Sequence, residues 1–411
     1  MTNSKTKNFS QNVSSSYYLE DRGKCNKNAC VNTRNVPKLR FKGYNDEWKR
    51  VKLKDICIDF IVPMRDKPKK FNGNIPWCRI EDIEGNYFNG TKSNQYVSQE
   101  TIDKMNLKII PTGSVICSCS ASLGTYAINT CPIITNQTFI GLVCSEKISN
   151  HFLLNLMNTQ TRKLKIIAGG TTIPYISREK FEEYNVKIPS LPEQEKIASF
   201  LKLVDKKIEK QKELVELLKK YKRVLLSAIF SQKLRFKDDN GNNYLAWEEK
   251  RLENILKIKH GKSQKEIECN NGKYPILATG GEIGRTNSYL WDKPCVLIGR
   301  KGTIDKPQYM DTPFWTVDTL FYSEVFKENN AKYLYYLFNT INWKKYDEST
   351  GVPSLSAKTI ERIKVTLSIN YSEQLAISKI LSKFDDKIQQ EEFILKKLQN
   401  YKKGLLQQMF I

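Results

Sequence analysis

A long internal repeat is the feature of this sequence that most constrains its fold. When residues 193–230 are aligned with residues 373–410 at an offset of 180, 13 of the 38 positions are identical. Composition alone would give about two or three identities in such a window, so one supersecondary unit occurs twice in the chain.

The repeat continues upstream of this window. Residues 173–177 align with residues 352–356 at an offset of 179, and Trp48 aligns with Trp247 at an offset of 199. The change of offset predicts extra residues in the first copy, around Thr101 to Ile110. The predicted order is a disordered basic tail (1–36), a globular module (37–190), a long helix (191–232), a second module (233–370) and a second long helix (371–411).

The two long helices carry apolar residues at alternating spacings of four and three, which is the pattern of a coiled-coil seam. Both copies place polar residues in this seam, Gln211 and Glu391 at one position and Lys222 and Lys402 at another. Such residues are typical of positions that fix the register of two helices. The predicted seam consists of Ile197, Leu201, Val204, Ile208, Val215, Leu218 and Leu225 in the first helix, and Ile377, Leu381, Phe384, Ile388, Leu395, Leu398 and Leu405 in the second.

The modules are predicted to be mixed α/β units with β-rich cores. Three short apolar, β-prone runs lie at 114–117, 139–143 and 295–298, and turn residues bound each of them. The fold class is therefore α+β, with two mixed modules alternating with two long helices that pair as an antiparallel coiled coil of pseudo-two-fold symmetry.

The charge of the chain points to an anionic partner. Lys and Arg number 67 against 44 Asp and Glu, which gives a formal net charge of +23. Small-residue loops follow the predicted strands, and such loops let backbone approach a phosphate or direct side chains into a groove. The candidate DNA contacts are Arg79, Ser118, Ser120, Asn136, Gln137 and Thr171 in the first module, and Lys262, Arg285, Arg300, Lys301 and Thr303 in the second.

Other classes of protein lack support in the sequence. No apolar run approaches the roughly 18–20 residues that span a bilayer, and the first residues lack a signal-peptide core, so a cytosolic protein without a membrane partner is expected. The ten cysteines lack metal-ligand spacing, so reduced packing thiols and no metal site are expected.

The sequence contains none of the catalytic signatures sought. There is no Asn/Asp-Pro-Pro-aromatic tetrad of an amino-methyltransferase, no nucleophile elbow and no HExxH. Gly261-Lys262-Ser263 matches the last three residues of the phosphate-binding loop motif, but Leu256 stands where that motif requires its first glycine. The acidic run at 81–84 has no equivalent in the second copy. No catalytic residue is therefore assigned.

Two distinct modules alternating with two similar helices resemble the specificity subunit of Type I restriction–modification systems. The resemblance covers residues 36–411 and is carried by Val36–Phe41 ahead of Trp48, by Ile188–Gln194 at the first helix, and by Ser372-Glu373-Gln374 at the second. The second helix departs from the pattern, because Ser372 stands where the first has Pro192.

The resemblance implies a subunit without catalysis of its own, whose two target-recognition domains each recognise one half of a split DNA sequence while the helices separate them. It implies two modification subunits that methylate adenine with S-adenosylmethionine, and restriction subunits that use ATP and Mg²⁺, so the cofactors belong to the partners. Two alternatives remain open: a structural coiled-coil adaptor without sequence-specific DNA binding, and a fused nuclease or methyltransferase with unrecognised catalytic residues.

Overall fold

The structure is a computed structural model that describes residues 19–21, 35–63, 66–120, 122–169, 174–238 and 240–411, with the backbone alone for 19–21. The chain divides into two compact units, which are described separately. Unit 1 comprises residues 1–212 and 394–411, and unit 2 comprises residues 213–393. Each long helix therefore contributes residues to both units.

Unit 1 holds the first module. Its strands are β1 (Leu19–Asp21), β2 (Leu39–Phe41), β3 (Lys49–Lys52), β4 (Cys57–Ile61), β5 (Ile75–Cys78), β6 (Ile83–Glu84), β7 (Tyr87–Phe88), β8 (Tyr96–Val97), β9 (Val115–Ser118), β10 (Tyr126–Asn129), β11 (Ile134–Thr135), β12 (Phe139–Cys144) and β13 (Asn185–Ile188). Its helices are α1 (Gln99–Met105), α2 (Asn150–Ile167), α3 (Arg178–Glu182) and the first part of α4 (Leu191–Phe230), together with the last part of the second long helix.

Unit 2 holds the second module. Its strands are β14 (Glu248–Arg251), β15 (Leu256–Lys259), β16 (Tyr274–Ala278), β17 (Gly281–Thr286), β18 (Cys295–Gly299), β19 (Gln308–Met310), β20 (Trp315–Thr316), β21 (Leu320–Val325) and β22 (Lys364–Leu367). Its helices are α5 (Ala331–Phe338), α6 (Ala357–Arg362) and most of α7 (Tyr371–Met409), together with the last part of α4.

The sheets of the two units share one plan. The main sheet of unit 1 has the order β4-β12-β9-β10-β7-β6, and that of unit 2 has the order β15-β21-β18-β19. A second sheet contains a parallel pair in both units, β5 with β11 and β16 with β20. A two-stranded antiparallel sheet, β3 with β13 and β14 with β22, leads into each long helix. The α+β class and the repeat are thus confirmed.

The central strands are buried on both faces, which explains their continuous apolar runs. All four residues of β9 and all five of β18 are buried. Strand β8 pairs antiparallel with β5 as β17 pairs with β16, whereas helix α1 has no counterpart among the described elements of the second module. Helix α1 overlaps the segment where the change of repeat offset predicts extra residues.

The end of a long helix closes the core of each module. In unit 1 the ring of Phe410 lies 6.0 Å from that of Trp48. In unit 2 the ring of Phe230 lies 5.9 Å from that of Trp247. Phe410 and Phe230 are equivalent in the repeat, as are the two tryptophans, so the same aromatic contact occurs twice.

The predicted tail at 1–36 contains one strand that the sequence did not indicate. Strand β1 pairs antiparallel with β2, with Leu19 opposite Phe41. The remainder of that tail, apart from Asn35 and Val36, lies outside the described residues.

The described residues contain neither a helix suited to span a membrane nor a cluster of metal-binding side chains. None of the helices in these ranges is long and apolar enough to cross a membrane. Within the same ranges, no group of three or more His, Cys, Asp or Glu side chains is placed to hold a metal ion.

Candidate nucleic-acid interface

A loop and a turn meet at one edge of the first module. The loop follows β9, and the turn joins β11 to β12. The Cys119 amide donates to the carbonyl of Thr138 at 2.8 Å, and the Ile176 amide donates to the carbonyl of Cys119 at 2.9 Å. These bonds hold Ser120, Asn136 and the exposed Gln137 on one connected surface.

The second module repeats this backbone arrangement. The Arg300 amide donates to the carbonyl of Thr319 at 2.8 Å, and the Leu355 amide donates to the carbonyl of Arg300 at 2.9 Å. Cys119 and Arg300 therefore occupy equivalent positions, as do Thr138 and Thr319. Sequence reasoning missed the signal for this turn, which is the spacing Thr135-x-x-Thr138 and Thr316-x-x-Thr319.

Glycines permit the close approach of the backbone in the second module. A Cβ atom on Gly299 would collide with the Thr303 carbonyl oxygen, and one on Gly261 would collide with the Val317 carbonyl oxygen. The glycine of the Gly261-Lys262-Ser263 sequence is thus required by packing against the turn. Within the same contact, the Lys262 amide donates to the carbonyl of Thr316 at 2.8 Å, and the Lys262 side chain is exposed.

The side chains on this shared frame differ in charge between the modules. In the second module Arg300 forms an ion pair with Asp318, and its guanidinium carbon lies 5.9 Å from the centre of the Phe321 ring. The equivalent residues of the first module are Cys119 and Gln137, which are uncharged. Asp318 was not predicted, because nothing in the sequence alone indicates that it faces Arg300.

The remaining candidates of the first module differ in how they are held. Arg79 directly follows β5, the parallel neighbour of β11, and its Nη2 donates to Gln95 Oε1 at 2.6 Å. Ser118 is buried, so its side chain packs inside the module. The Asn136 carboxamide oxygen accepts from the Thr138 amide at 3.1 Å and shapes the turn. Thr171 lies outside the described residues.

In the second module, Lys301 and Thr303 are exposed on the same loop as Arg300. Arg285 stands apart from this loop on β17. Its guanidinium donates to the carbonyls of Gly272 at 2.8 Å and Lys273 at 3.1 Å, and it pairs with Glu282. These bonds tie β17 to the preceding turn.

A buried Glu-Gln pair fastens each long helix to its module. In unit 1 Glu193 accepts two 2.7 Å bonds from Arg40, with both side chains almost fully buried. In unit 2 Glu373 accepts from Arg235 at 3.2 Å, from Trp247 Nε1 at 3.0 Å and from Ser368 Oγ at 2.6 Å. The arginines belong to a Lys-Leu-Arg-Phe sequence that occurs at 38–41 and again at 233–236, a second repeat that sequence reasoning missed.

Each glutamine binds the backbone at the start of an earlier helix of the same module. Gln194 Oε1 accepts from the amide of Ser149, the residue that precedes α2, at 3.0 Å. Gln374 Oε1 accepts from the amide of Asn330, the residue that precedes α5, at 2.7 Å. Both glutamines also donate to nearby carbonyls, so the start of each long helix is fixed to two other elements of its module.

Helices α4 and α7 pair within each unit along the predicted seam. All fourteen seam residues are buried or half-buried. In unit 2 Lys222 forms an ion pair with Asp385, and Lys219, three residues earlier on α4, forms one with Glu392, which is later on α7. The two helices therefore run antiparallel there. In unit 1 Lys402 pairs with Asp205 at 2.5 Å.

The α4 segment of unit 2 also carries a second apolar face. Leu214, Leu217, Tyr221 and Val224 are each between 39 and 60% exposed, at spacings of three, four and three. This spacing is that of a helix-packing seam, and these four side chains lie outside the seam with α7.

Comparisons with known proteins agree with this architecture. A family model described as the Type I restriction modification DNA specificity domain matches residues 45–219 and 244–400. The chain is 30% identical over 246 residues to the MjaIX specificity subunit of Methanocaldococcus jannaschii, an alignment that spans 56% of this chain and 57% of that one. It is 24% identical over 341 residues to the EcoprrI specificity subunit of Escherichia coli, covering 76% of this chain and 81% of that one.

Among solved structures, the S subunit of a Type I restriction–modification system from M. genitalium shares the fold. The two superpose with a TM-score of 0.62 at 20% identity, over 92% of this chain and 99% of that one. The family model covers well over half of the chain, in two matches that coincide with the two modules and the helices that follow them. The chain belongs to the family of Type I restriction–modification DNA specificity subunits.

Proposed function

We propose that this chain recognises a bipartite DNA target, with each module contacting one half-site and the paired helices setting the length of the unread spacer. The observation that carries the proposal is the duplicated loop-and-turn frame with different side chains on it. One backbone frame that occurs twice, with a different set of donors and acceptors on each copy, suits the recognition of two different half-sites, because donors and acceptors at base edges specify the sequence.

The charge of the chain supports DNA as the partner. A net charge of +23 supplies the sequence-independent attraction to phosphates, while side chains at base edges supply discrimination. Arg300 and Asp318 offer donors and acceptors side by side on an exposed edge, and Lys262, Lys301 and Thr303 surround them. In the first module the same frame presents Ser120, Asn136 and Gln137, and Arg79 follows the neighbouring strand β5.

The chain directs chemistry that its partners perform. We assign adenine methylation to two modification subunits that carry S-adenosylmethionine, and DNA cleavage to restriction subunits that use ATP and Mg²⁺, in the cytoplasm where the DNA lies. The exposed face of Leu214, Leu217, Tyr221 and Val224 has the spacing that another helix needs for packing. We assign this face to contact with a modification subunit.

Mapping N6-methyladenine tests the proposal. Genomic DNA is compared between cells that carry this chain with its modification partner, cells that carry the partner alone, and cells that carry this chain alone. The expected result is methylation at one split sequence in cells that carry both proteins. Cells that carry only the modification partner or only this chain should show no methylation at that sequence. Methylation that does not depend on this chain, or that follows no split sequence, would favour the coiled-coil adaptor.

A further inference from the structure

Arg300 is held in place both at its backbone and at its guanidinium. The backbone is fixed by the hydrogen bonds to Thr319 and Leu355. Nη1 donates to the Asp318 carboxylate and, at 3.3 Å, to the Asp318 carbonyl. The guanidinium carbon also lies 5.9 Å from the centre of the buried Phe321 ring. An arginine fixed in this way loses little conformational freedom when it binds a ligand.

One edge of the Arg300 guanidinium remains available. Within the part of the chain that the structure describes, no residue accepts a hydrogen bond from Nε or Nη2, and the side chain is 29% exposed. Two N–H groups on one edge of a guanidinium suit a ligand with two acceptors side by side. In DNA these acceptors are the two oxygens of a phosphate, or O6 and N7 of guanine in the major groove.

Asp318 favours guanine over phosphate. Its side chain is 65% exposed directly beside Arg300, so a phosphate that approached the guanidinium would also meet a carboxylate of the same charge. The guanine edge carries no net charge and avoids this repulsion. The exposed Lys262 and Lys301, which form no ion pair among the described residues, are better suited to phosphates.

The first module lacks this pair. Cys119 and Gln137 occupy the positions of Arg300 and Asp318 on the shared frame, and the Cys119 side chain is buried. A guanine contact from this position of the frame should therefore occur in one half-site alone.

We propose that Arg300 recognises one guanine of the DNA target by donating from Nε and Nη2 to O6 and N7. In this proposal Asp318 is the positioning residue that directs the guanidinium to a base edge rather than to a phosphate. The inference rests on the proposed function and adds the base that is recognised and the residue that selects it.

The test uses DNA in which single atoms of guanine are removed. The target is first mapped for the wild-type chain with its modification partner. Each guanine of that target is then replaced in turn by 7-deazaguanine, which lacks the N7 acceptor. Hypoxanthine at the same place is the matched DNA control, because it lacks only the N2 amino group in the minor groove. The affinity of the complex is measured for each duplex.

Three protein variants are compared with the wild type: Arg300→Ala, Asp318→Ala and Asp318→Asn. The asparagine keeps an oxygen for Nη1 while removing the charge. The matched control is Glu324→Ala, which removes a carboxylate from the same module. Glu324 pairs with Lys259 at 2.9 Å near the end of β21 that is remote from Asp318, and both side chains of that pair are partly exposed.

We expect 7-deazaguanine at one position to lower the affinity of the wild type by about tenfold, and hypoxanthine there by less than about threefold. Arg300→Ala should bind both DNAs equally. Asp318→Ala should reduce the effect of 7-deazaguanine to less than about threefold and bind DNA without the target more tightly, because the released guanidinium then reaches phosphates. Asp318→Asn and Glu324→Ala should keep the tenfold effect.

The proposal is wrong if no guanine of the target responds to 7-deazaguanine in the wild type, if Arg300→Ala keeps every response, or if Asp318→Ala keeps the full response. Loss of all DNA binding by both Asp318 variants would also contradict it, since a carboxylate that only positions Arg300 is not needed for the fold. A wild-type chain that directs no methylation to a split sequence would instead overturn the proposed function.

Discussion

Removing the Glu193 carboxylate should destabilise the first module more than the equivalent change destabilises the second. In unit 1 the Arg40 and Glu193 side chains are 2 and 1% exposed, and Arg40 Nη1 has no hydrogen-bond partner. Glu193→Ala would leave the guanidinium buried and uncompensated, a situation that costs about 3–5 kcal/mol. At about 1.4 kcal/mol per factor of ten, amide protection should fall between about a hundredfold and a few thousandfold.

Glu373→Ala is the matched comparison. Arg235 would keep the carbonyls of Tyr244 at 3.3 Å and Leu245 at 2.9 Å, and it is 27% exposed. The main loss is therefore the acceptor of the buried Trp247 Nε1, worth about 1–3 kcal/mol. A third variant, Arg40→Met/Glu193→Leu, removes both charges from unit 1 and should be close to neutral, because buried ion pairs are replaceable by apolar packing.

Hydrogen exchange with mass spectrometry is the assay, because it separates the two units within the full chain. Strands β9 and β12 report on unit 1, and β18 reports on unit 2. The reasoning is refuted if Glu193→Ala lowers the free energy of unfolding in β9 and β12 by less than about 1 kcal/mol, or if the double variant is as unstable as the single one.

Three further predictions address the helices, the second module and the thiols. Inserting one heptad into each long helix, after residues 212 and 392, should leave both half-sites unchanged and lengthen the spacer by roughly three base pairs, because seven helical residues add about 10 Å. A methylation map with the original spacer would show that the length of the helices does not set the spacer. Arg300→Ala should lower discrimination at the second half-site by about 1–3 kcal/mol. The measurement is the ratio of the affinities for cognate DNA and for DNA altered in that half-site alone. An equal loss of affinity for both DNAs would mean that Arg300 contacts only phosphate. Burial raises the pKa of both Cys78 and Cys295 to about 12. Alkylation of the native protein at pH 8 should therefore modify the half-exposed Cys269 before Cys78 and Cys295, and rapid labelling of Cys78 or Cys295 would show that their packing is wrong.

The sequence predicts most of the architecture because the repeat is long and the heptads are regular. The two alignments place Trp48 with Trp247, and in the structure each tryptophan meets the phenylalanine at the end of a long helix. The seam residues all face inward because a spacing of four and three puts them on one stripe of the helix. The same spacing predicts that Lys222 and Lys402 lie in the seam, where each pairs with an aspartate of the other helix.

The partners of these residues could not be predicted. Which aspartate faces a seam lysine depends on the alignment of two helices that run in opposite directions, and nothing local in the sequence states that alignment. Arg285 and Arg300 are both basic and follow glycines, yet Arg285 is bound to backbone carbonyls while Arg300 lies beside the exposed Asp318. The burial of Ser118 could not be predicted, because a small polar residue such as serine occurs both at the end of a strand and in the loop that follows it, and Ser118 is the last residue of β9.

Exchange of one module tests the central claim most directly. Residues 44–190 are replaced by the equivalent segment of another member of the family with a known target, and N6-methyladenine is mapped in cells that carry the chimera and its modification partner. One half-site is expected to change to that of the donor, while the other half-site stays as in the wild type. Methylation in which both half-sites change together, or in which neither changes, would contradict independent recognition by the two modules.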